Sequence, residues 1–316
     1  PCHSYKRHNR TIEKCSGNNK LNNYLSMNEG LTKEYRVKLL ETFAAFDRFC
    51  KANGIKYYAA YGTLIGAVRH KGLIPWDDDI DVYMLREDYD KFCSLKGKVM
   101  DHYDIMDIND DGYWLLSLAK FVDTNTTLWE FKNRPLILGV YIDVFPLDEC
   151  NMEQVITLKN RYDKYSLLVA QSMMRYSLGD ILHSLFRLKL KCLLLQISCV
   201  FYKRHKYAYY KQKYLSCVED IKKSKGNFLV SYDGPYGMGE VLDKKLFSES
   251  VLVPFESMSI EVPIGYEECL KSIYGDYMKL PPKEKRISHH SRYYLNLNHR
   301  LSFSEISREI SLRGKI

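Results

Sequence analysis

The sequence predicts an α+β protein with a mixed-sheet core flanked by helices and followed by a helical, basic lobe. Between residues 32 and 148, helical segments and several strands in succession occur without a strict alternation of strand and helix. From residue 152 to about residue 225 the pattern becomes helical and rich in lysine and arginine. A stretch dense in glycine and proline, "SYDGPYGMGE", then marks a boundary before a last mixed segment.

The individual elements follow from local patterns. A first helix is predicted from about Thr32 to the Asn53-Gly54 stop, because apolar residues recur at helical spacing. A strand ("IKYYAAYG"), a short helix ("TLIGAVRH"), a strand ("DIDVYML") and a helix ("REDYDKFCSLKG") come next. Four successive strands are indicated by "YDIMDI", "YWLLSLAKFVD", "TTLWEF" and "GVYIDVFPLD". Near the end, "VLVPFESMSIEVPIG" predicts a hairpin and "YEECLKSIYGDYMKLPP" a helix.

These changes of pattern divide the chain into four regions. We predict a loose tail over 1–30, a core over 31–150, a helical basic lobe over 151–230 and a C-terminal segment over 231–316. The charge is uneven, since the stretch from Arg187 to Lys225 contains eleven Lys and Arg residues and two acids, a net charge of +9. The whole chain carries +8, so everything outside that stretch sums to about −1.

Composition indicates an ordinary globular protein. The 316 residues are 46% hydrophobic and 27% charged, and they contain no long uncharged apolar run. The first twenty residues lack the apolar centre of a secretory signal. None of the nine cysteines forms a C-x-x-C pair, which favours free thiols over a disulfide framework or a zinc site. We therefore expect a cytoplasmic protein without a membrane span.

The densest chemistry lies in "WDDDIDV", which crowds four aspartates into five residues. Because successive side chains of a strand point to opposite faces, Asp79 and Asp81 are predicted to share one face. Such a pair can hold Mg²⁺ or Mn²⁺, with a third carboxylate on a neighbouring strand. Asp143, an isolated charge in an apolar run, is the predicted third ligand, ahead of Asp123 and Asp148.

A structural interpretation competes with the metal site. Asp77 to Asp81 could form a solvated turn, and Asp143 could pair with an arginine. We favour that interpretation for Asp77 and Asp78, which follow a proline and a tryptophan. For Asp79, Asp81 and Asp143 together we favour function, because isolated carboxylates on buried strands are costly without a cation.

Residues just before the acidic strand are candidates for binding phosphate. Gly62 and Thr63 open a predicted helix, where backbone N–H groups can hold an anion and glycine permits close approach. Arg69 and Lys71 could neutralise a diphosphate. Taken singly, these residues are better explained by a helix cap and by surface charges, but their position before the Asp79–Asp81 strand favours phosphate binding.

The long stretch "YGTLIGAVRHKGLIPWDDDIDV" resembles the signature of the LicD family of phosphotransferases, which includes the fukutin and fukutin-related proteins. The resemblance continues through "LAKFVDTNTTLWE", "GVYIDVFPLDEC" and "YGDYMKLPPKEKRISHHS". It implies that the core has a nucleotidyltransferase fold related to the polymerase-beta superfamily and that the C-terminal segment completes the active site. It also implies magnesium-dependent transfer of a phospho-substituent, such as phosphocholine, from a CDP-linked or CMP-linked donor to a glycan hydroxyl.

The resemblance also assigns roles to residues. Gly62-Thr63 stands where the superfamily has a Gly-Ser turn, Asp79 and Asp81 match its paired acids, and Asp143 matches its third acid. Lys120 in "AKFVD" occupies a position where a more arginine-rich run is typical, and we retain it as a phosphate-binding candidate. Two substrate contacts are predicted in the C-terminal segment, at Arg286 and His289.

Two other functions remain open at this stage. Attack at the nucleotide-proximal phosphorus would make the protein a nucleotidyltransferase acting on a small molecule or on RNA. A protein that keeps the fold could also serve as a non-catalytic scaffold binding membrane or nucleic acid. The intact Asp79, Asp81 and Asp143 set argues against the scaffold.

The basic segment from Leu178 to Tyr214 has three interpretations. It could be a helical lobe with a solvated face, a peripheral element that meets anionic lipid at the inner face of a membrane beside a lipid-linked glycan acceptor, or a nucleic-acid-binding surface. Nucleic acid is the weakest of the three, because no recognised nucleic-acid module accompanies the charge.

Overall fold

The computed structural model describes residues 29–108, 118–134, 136–288 and 292–313. Its centre is a sheet in the order β1-β2-β6-β4-β3, extended by β7 on β6 and by β8 on β7. Strands β9 and β10 form one separate two-stranded sheet, and β5 and β11 form another. The predicted α+β class with a mixed sheet and flanking helices is confirmed. The strands are β1 Tyr58–Ala59, β2 Asp81–Leu85, β3 Tyr103–Met106, β4 Ala119–Asp123, β5 Thr127–Trp129, β6 Tyr141–Cys150, β7 Phe228–Val230, β8 Leu242–Asp243, β9 Ser250–Phe255, β10 Met258–Pro263 and β11 Tyr294–Asn296.

Nine α-helices surround these sheets within the described residues. Those predicted from the sequence are confirmed, although the first begins slightly earlier than expected. The helices are α1 Glu29–Ala52, α2 Tyr61–Ile65, α3 Arg86–Ser94, α4 Val155–Met173, α5 Leu178–Phe186, α6 Leu190–Ile197, α7 Tyr207–Lys223, α8 Tyr266–Tyr274 and α9 Phe303–Arg313. Helix α2 continues as a π-helical turn over Gly66–His70.

The central strand β6 organises the core. Nine of its ten residues are buried, with Glu149 as the exception. It pairs in parallel with β2 on one side and antiparallel with β4 on the other. Since a strand in this position is covered on both faces, its apolar residues form a nearly continuous run. Any charge within that run must have a partner or a function.

Helix α1 covers one face of the sheet through the apolar spacing seen in the sequence. Leu39, Phe43, Phe46 and Cys50 are fully buried, at intervals of three and four residues. The ring centroid of Phe46 lies 5.6 Å from that of Phe121 on β4, in an edge-to-face arrangement. Burying each such side chain stabilises the fold by roughly 1.5–3 kcal/mol.

Helices α4 to α7 form the predicted helical lobe. Tyr162 on α4 and Tyr214 on α7 hold its base together, with hydroxyl oxygens 3.1 Å apart. At the C-terminal limit of the predicted lobe, however, Phe228–Val230 forms strand β7 of the central sheet. No helix among the described residues is both long and apolar enough to span a membrane.

The cysteines follow the sequence expectation in most cases. Six of them are free thiols, and most are buried. They are Cys50, Cys93, Cys150, Cys199, Cys217 and Cys269. Cys192 is disulfide-bonded, so the expectation of free thiols is wrong at that position.

Candidate active site

Strands β2 and β6 bring two of the predicted acids together. In the parallel register Asp81 lies opposite Asp143. Paired residues of adjacent strands project to the same face of a sheet, so the two carboxylates are neighbours. The backbone N–H of Asp143 donates to the carbonyl of Ile80 at 2.9 Å, which extends the pairing back towards Asp79. Asp79 and Asp81 are half-buried and alternate with buried neighbours, as the strand periodicity predicts.

Lys120 completes this row on the next strand. It lies opposite Asp143 in the antiparallel register of β4 and β6, and its ammonium group forms an ion pair with Oδ1 of that carboxylate. The lysine Nζ also lies 3.4 Å from the ring centroid of Tyr141. Burial raises the pKa of Asp143, the Lys120 cation opposes the rise, and Asp79 adds to it. Lys120 is 3% exposed and is paired with Asp143, so its predicted binding of a substrate phosphate stays a prediction.

Gly62 and Thr63 position the start of the acidic strand. The Thr63 hydroxyl accepts a hydrogen bond from the backbone N–H of Asp81 at 2.8 Å. A Cβ atom on Gly62 would lie 2.5 Å from a carboxylate oxygen of Asp77, so any larger residue would displace that side chain. These contacts account for both residues locally, and phosphate binding by either remains a prediction.

A second carboxylate cluster lies just before the strand. The ligand oxygens of Asp77, Asp78 and Asp79 all lie within 4.8 Å of one another, a trio that shares only Asp79 with the predicted metal set. Asp78 in this trio is already bound, since Arg292 lies 2.5 Å from its Oδ2 and the Ser288 hydroxyl donates to it at 2.6 Å. We therefore assign Asp78 a structural role, and we keep Asp79, Asp81 and Asp143 as the predicted metal-binding set.

The solvated-turn interpretation is wrong for Asp78. The residue is 4% exposed, and its ion pair with Arg292 ties the C-terminal segment to the acidic loop. The same guanidinium packs on the ring of Tyr35, with 4.0 Å between Cζ and the ring centroid. Arg292 was missed from the sequence because more than two hundred residues separate it from its partner.

Basic residues gather beside Trp76, at the start of the acidic loop. Arg69 donates to the carbonyl of Tyr277 and, through Nε, to Nε2 of His70 at 3.0 Å. The guanidinium of Arg286 lies 5.4 Å from the Trp76 ring centroid. Burial and the neighbouring Arg286 both lower the pKa of Arg69.

One other predicted phosphate contact, Lys71, lies apart from this group of basic residues. Lys71 is exposed and its backbone adopts the left-handed conformation, with φ of 56°. Its carbonyl accepts a hydrogen bond from the backbone N–H of Glu256 at 2.8 Å. Its backbone thus joins the helical turn to the β9–β10 hairpin. His289 lies outside the described residues.

The sequence did not reveal one buried carboxylate, that of Glu240. Glu240 is 2% exposed and accepts hydrogen bonds from the Tyr61 hydroxyl at 2.6 Å and from the backbone N–H of Tyr236. A Cβ atom on Gly234 would lie only 1.3 Å from Oε2 of Glu240. Tyr83 packs on the other side, with its ring centroid 5.0 Å from that of Tyr61. The glycine-rich stretch that the sequence marks as a boundary thus packs closely around this buried carboxylate.

Glu240 predicts a pH-dependent stability. Burial raises its pKa from an ordinary value of 4.5 to about 7. The folded state therefore favours the protonated form, and this contribution is present below pH 4.5 and is lost as the pH rises through 7. Between pH 5 and pH 8 we expect the free energy of unfolding of the wild type to fall by up to about 3 kcal/mol from this source, and Glu240→Gln to abolish that fall. Urea unfolding of both proteins at the two pH values measures the difference; parallel pH profiles would contradict this assignment.

Comparison with known proteins assigns the chain to a family. Residues 54–169 match the model described as "LicD/FKTN/FKRP, nucleotidyltransferase domain". The lipopolysaccharide cholinephosphotransferase LicD of Haemophilus influenzae is 31% identical over 271 residues, which cover 82% of this chain and 95% of that protein. The chain belongs to the LicD family. It is accordingly an enzyme, a phosphotransferase of the LicD type.

More distant relatives match a shorter stretch. Human ribitol 5-phosphate transferase FKRP is 40% identical over 47 residues, 15% of this chain and 10% of that protein. The yeast mannosyltransferase regulator 4 is 38% identical over 52 residues, 16% of this chain and 4% of that protein. The family model includes Gly62, Asp79, Asp81, Lys120 and Asp143, whereas Glu240, Arg286 and Arg292 lie beyond it.

Proposed function

We propose that this LicD-family enzyme transfers a phospho-substituent, such as phosphocholine, from a CDP-linked donor to a hydroxyl of a cell-surface glycan or its lipid-linked precursor. The observation that carries the proposal is the register that places Asp81 beside Asp143, with Lys120 paired to Asp143 on the next strand. The family membership and the full-length relative that transfers cholinephosphate support the choice of reaction. We further propose that the core has a nucleotidyltransferase fold.

The donor chemistry of the acids suits a hard divalent cation. Carboxylate oxygens are the ligands that Mg²⁺ prefers in proteins, and the partly exposed Asp79 and Asp81 leave room for water and substrate oxygens. We propose that Asp79, Asp81 and Asp143 hold Mg²⁺ or Mn²⁺. When bound, the ion would offset the charge that builds on the phosphoryl oxygens.

The protein's own residues supply the rest of the reaction. The acceptor hydroxyl oxygen forms a bond to the distal phosphorus while the bond from that phosphorus to the bridging oxygen breaks, so CMP leaves with the electron pair. Asp143, whose pKa burial raises, accepts the hydroxyl proton. Arg69 and Arg286 lie on the Trp76 side, where they would bind the diphosphate and stabilise the leaving CMP.

The released product tests this proposal against nucleotidyl transfer. We expect purified protein with Mg²⁺, CDP-choline and a glycan acceptor to release CMP and to leave phosphocholine on the acceptor. Attack at the proximal phosphorus would instead release phosphocholine and leave CMP on the acceptor. Chromatography of the products separates the two outcomes. Release of phosphocholine would overturn the proposed direction of transfer, and the absence of both products with every cytidine-linked donor tried would overturn the donor class.

A further inference from the structure

The helical lobe ends in an exposed tip of alternating apolar and basic residues. Helices α5 and α6 are joined by a three-residue turn, and we call residues 186–191, "FRLKLK", the tip. Phe186 and Leu188 are each 81% exposed and Leu190 is 64% exposed. Leu188 adopts a left-handed conformation with φ of 52°, which is unfavourable for leucine. The fold therefore holds a leucine in a costly conformation that points it at solvent.

The apolar surface of the tip continues along both helices. Exposed apolar residues recur at intervals of three and four, so each helix has one apolar face directed away from the core. They are Leu178, Leu182 and Leu185 on α5, and Leu190, Leu194, Ile197 and Phe201 on α6 and the turn that follows it. Single exposed apolar residues are ordinary, but a contiguous set of this size marks an interaction surface.

The charges of the tip identify the kind of partner. Arg187, Lys189 and Lys191 are all exposed and alternate with the apolar residues. The sequence from 181 to 206 contains no acid, and Asp180 is used in the helix cap with Ser177. An anionic lipid bilayer has both complementary layers, because its phosphates attract the cations while its acyl boundary accepts the apolar side chains. Nucleic acid would satisfy the cations and leave the leucines exposed.

We propose that the tip docks onto the surface of an anionic bilayer, with Phe186, Leu188 and Leu190 inserted and Arg187, Lys189 and Lys191 on lipid phosphates. This is shallow, reversible binding through the tip alone. A second copy of the chain is the other occupant that could cover such a face, and the experiment distinguishes it.

A series of backbone contacts links the lobe to the candidate active site. The backbone N–H of Arg175, just before α5, donates to the carbonyl of Asn133 at 2.8 Å, and Tyr293 donates to the carbonyl of Trp129 at 2.7 Å. Tyr293 follows Arg292, which holds Asp78. Docking would therefore bring the site towards a lipid-linked acceptor. This consequence rests on the proposed function, whereas the docking itself does not.

Not every cation of the lobe belongs to the docking surface. Lys203 is half-buried and donates to Oε1 of Gln171 at 2.5 Å. Lys206 is exposed but lies over the ring of Tyr202, with Nζ 4.2 Å from the centroid, and donates to its hydroxyl. Both already have partners within the lobe, so the tip cations are the sharper targets.

Co-sedimentation with vesicles tests the proposal. We expect the full chain to pellet at low salt with vesicles of equal phosphatidylcholine and phosphatidylglycerol, and to be released at high salt as its charges are screened. Replacing Arg187, Lys189 and Lys191 together by glutamine should lower the partition coefficient on the order of 100-fold, at roughly fivefold per cation. The double variant Phe186→Ser, Leu188→Ser should lower it roughly 10- to 100-fold.

Matched controls use equally exposed residues elsewhere. The triple glutamine variant of Lys33, Lys98 and Lys223 and the serine variants of Met100 and Leu252 should bind like the wild type. Wild-type protein that stays in the supernatant, tip variants that pellet normally, or equal binding to pure phosphatidylcholine would each overturn the proposal. Sedimentation velocity without lipid gives a further outcome: a dimer that the serine variant dissociates would assign the tip to a second copy instead.

Discussion

Asp81→Asn abolishes transfer, lowering the rate at saturating Mg²⁺ by at least about 1,000-fold, while the protein stays folded. The substitution keeps the side-chain volume and removes the charge of a half-buried residue that lies opposite Asp143. The backbone N–H of Asp81 would still donate to Thr63, so the strand keeps its position. Transfer is measured by release of CMP from the donor, and folding by urea unfolding.

Asp148→Asn is the matched control for Asp81→Asn. Asp148 lies on the same strand as Asp143 and is 2% exposed. Its carboxylate accepts hydrogen bonds from Nε and Nη2 of Arg86, at 2.7 and 2.6 Å. Removing its charge should cost stability, roughly 3–5 kcal/mol, because Arg86 would lose its buried ion pair and keep only the longer one with Asp90, at 3.4 Å. The folded fraction should retain turnover. If Asp81→Asn keeps near-normal turnover, or if both variants lose it equally, Asp81 does not carry the chemistry.

Asp79→Asn and Asp143→Asn should also abolish transfer, but they report on it less cleanly. Asp143→Asn leaves the buried ammonium group of Lys120 without its anion, so stability falls together with activity. Asp79 lies in the carboxylate trio with Asp77 and Asp78, whose mutual repulsion changes with its charge. Asp81, half-buried and opposite Asp143 in the register, is the variant we test first.

Strand periodicity explains why part of the site could be predicted. Asp143 stands out because it interrupts a run of buried apolar residues, and the alternation of Asp79 and Asp81 with buried neighbours is local. Neither the register that places Asp81 opposite Asp143 nor the lysine that pairs with Asp143 is a local property. Both depend on which strands become neighbours. The resemblance grouped Asp143 with Asp79 and Asp81, but the pairing of Lys120 with Asp143 was not predicted.

Partners distant in sequence explain what was missed. Glu240 meets Tyr61 across 179 residues, and Asp78 meets Ser288 across 210. The turn-like composition around each acid is equally typical of a solvated loop, so burial cannot be read from it. Strands β1, β5, β7, β8 and β11 have two or three residues, too few for alternation to indicate them reliably. Of these, β1 and β5 were predicted.

Arg292→Ala destabilises the protein by about 3–5 kcal/mol. Arg292 and Asp78 form an ion pair of 2.5 Å whose side chains are only 7% and 5% exposed. Truncating the arginine removes the cation that pairs with this buried carboxylate, to which the Ser288 hydroxyl still donates a hydrogen bond. Urea unfolding measures the loss. Lys271→Ala, which breaks the exposed pair with Glu267, is the control and should change stability by less than about 1 kcal/mol.

The same substitution connects stability to function. Arg292 belongs to the C-terminal segment, and its pair with Asp78 holds that segment against the loop that leads into Asp79 and Asp81. Arg292→Lys keeps the charge but cannot reproduce the planar contact with the Tyr35 ring, so we expect an intermediate loss of stability. If both variants unfold like the wild type, the pair does not hold the segment in solution. If Arg292→Ala is destabilised but transfers normally under conditions where it is fully folded, the C-terminal segment stabilises the core without completing the active site.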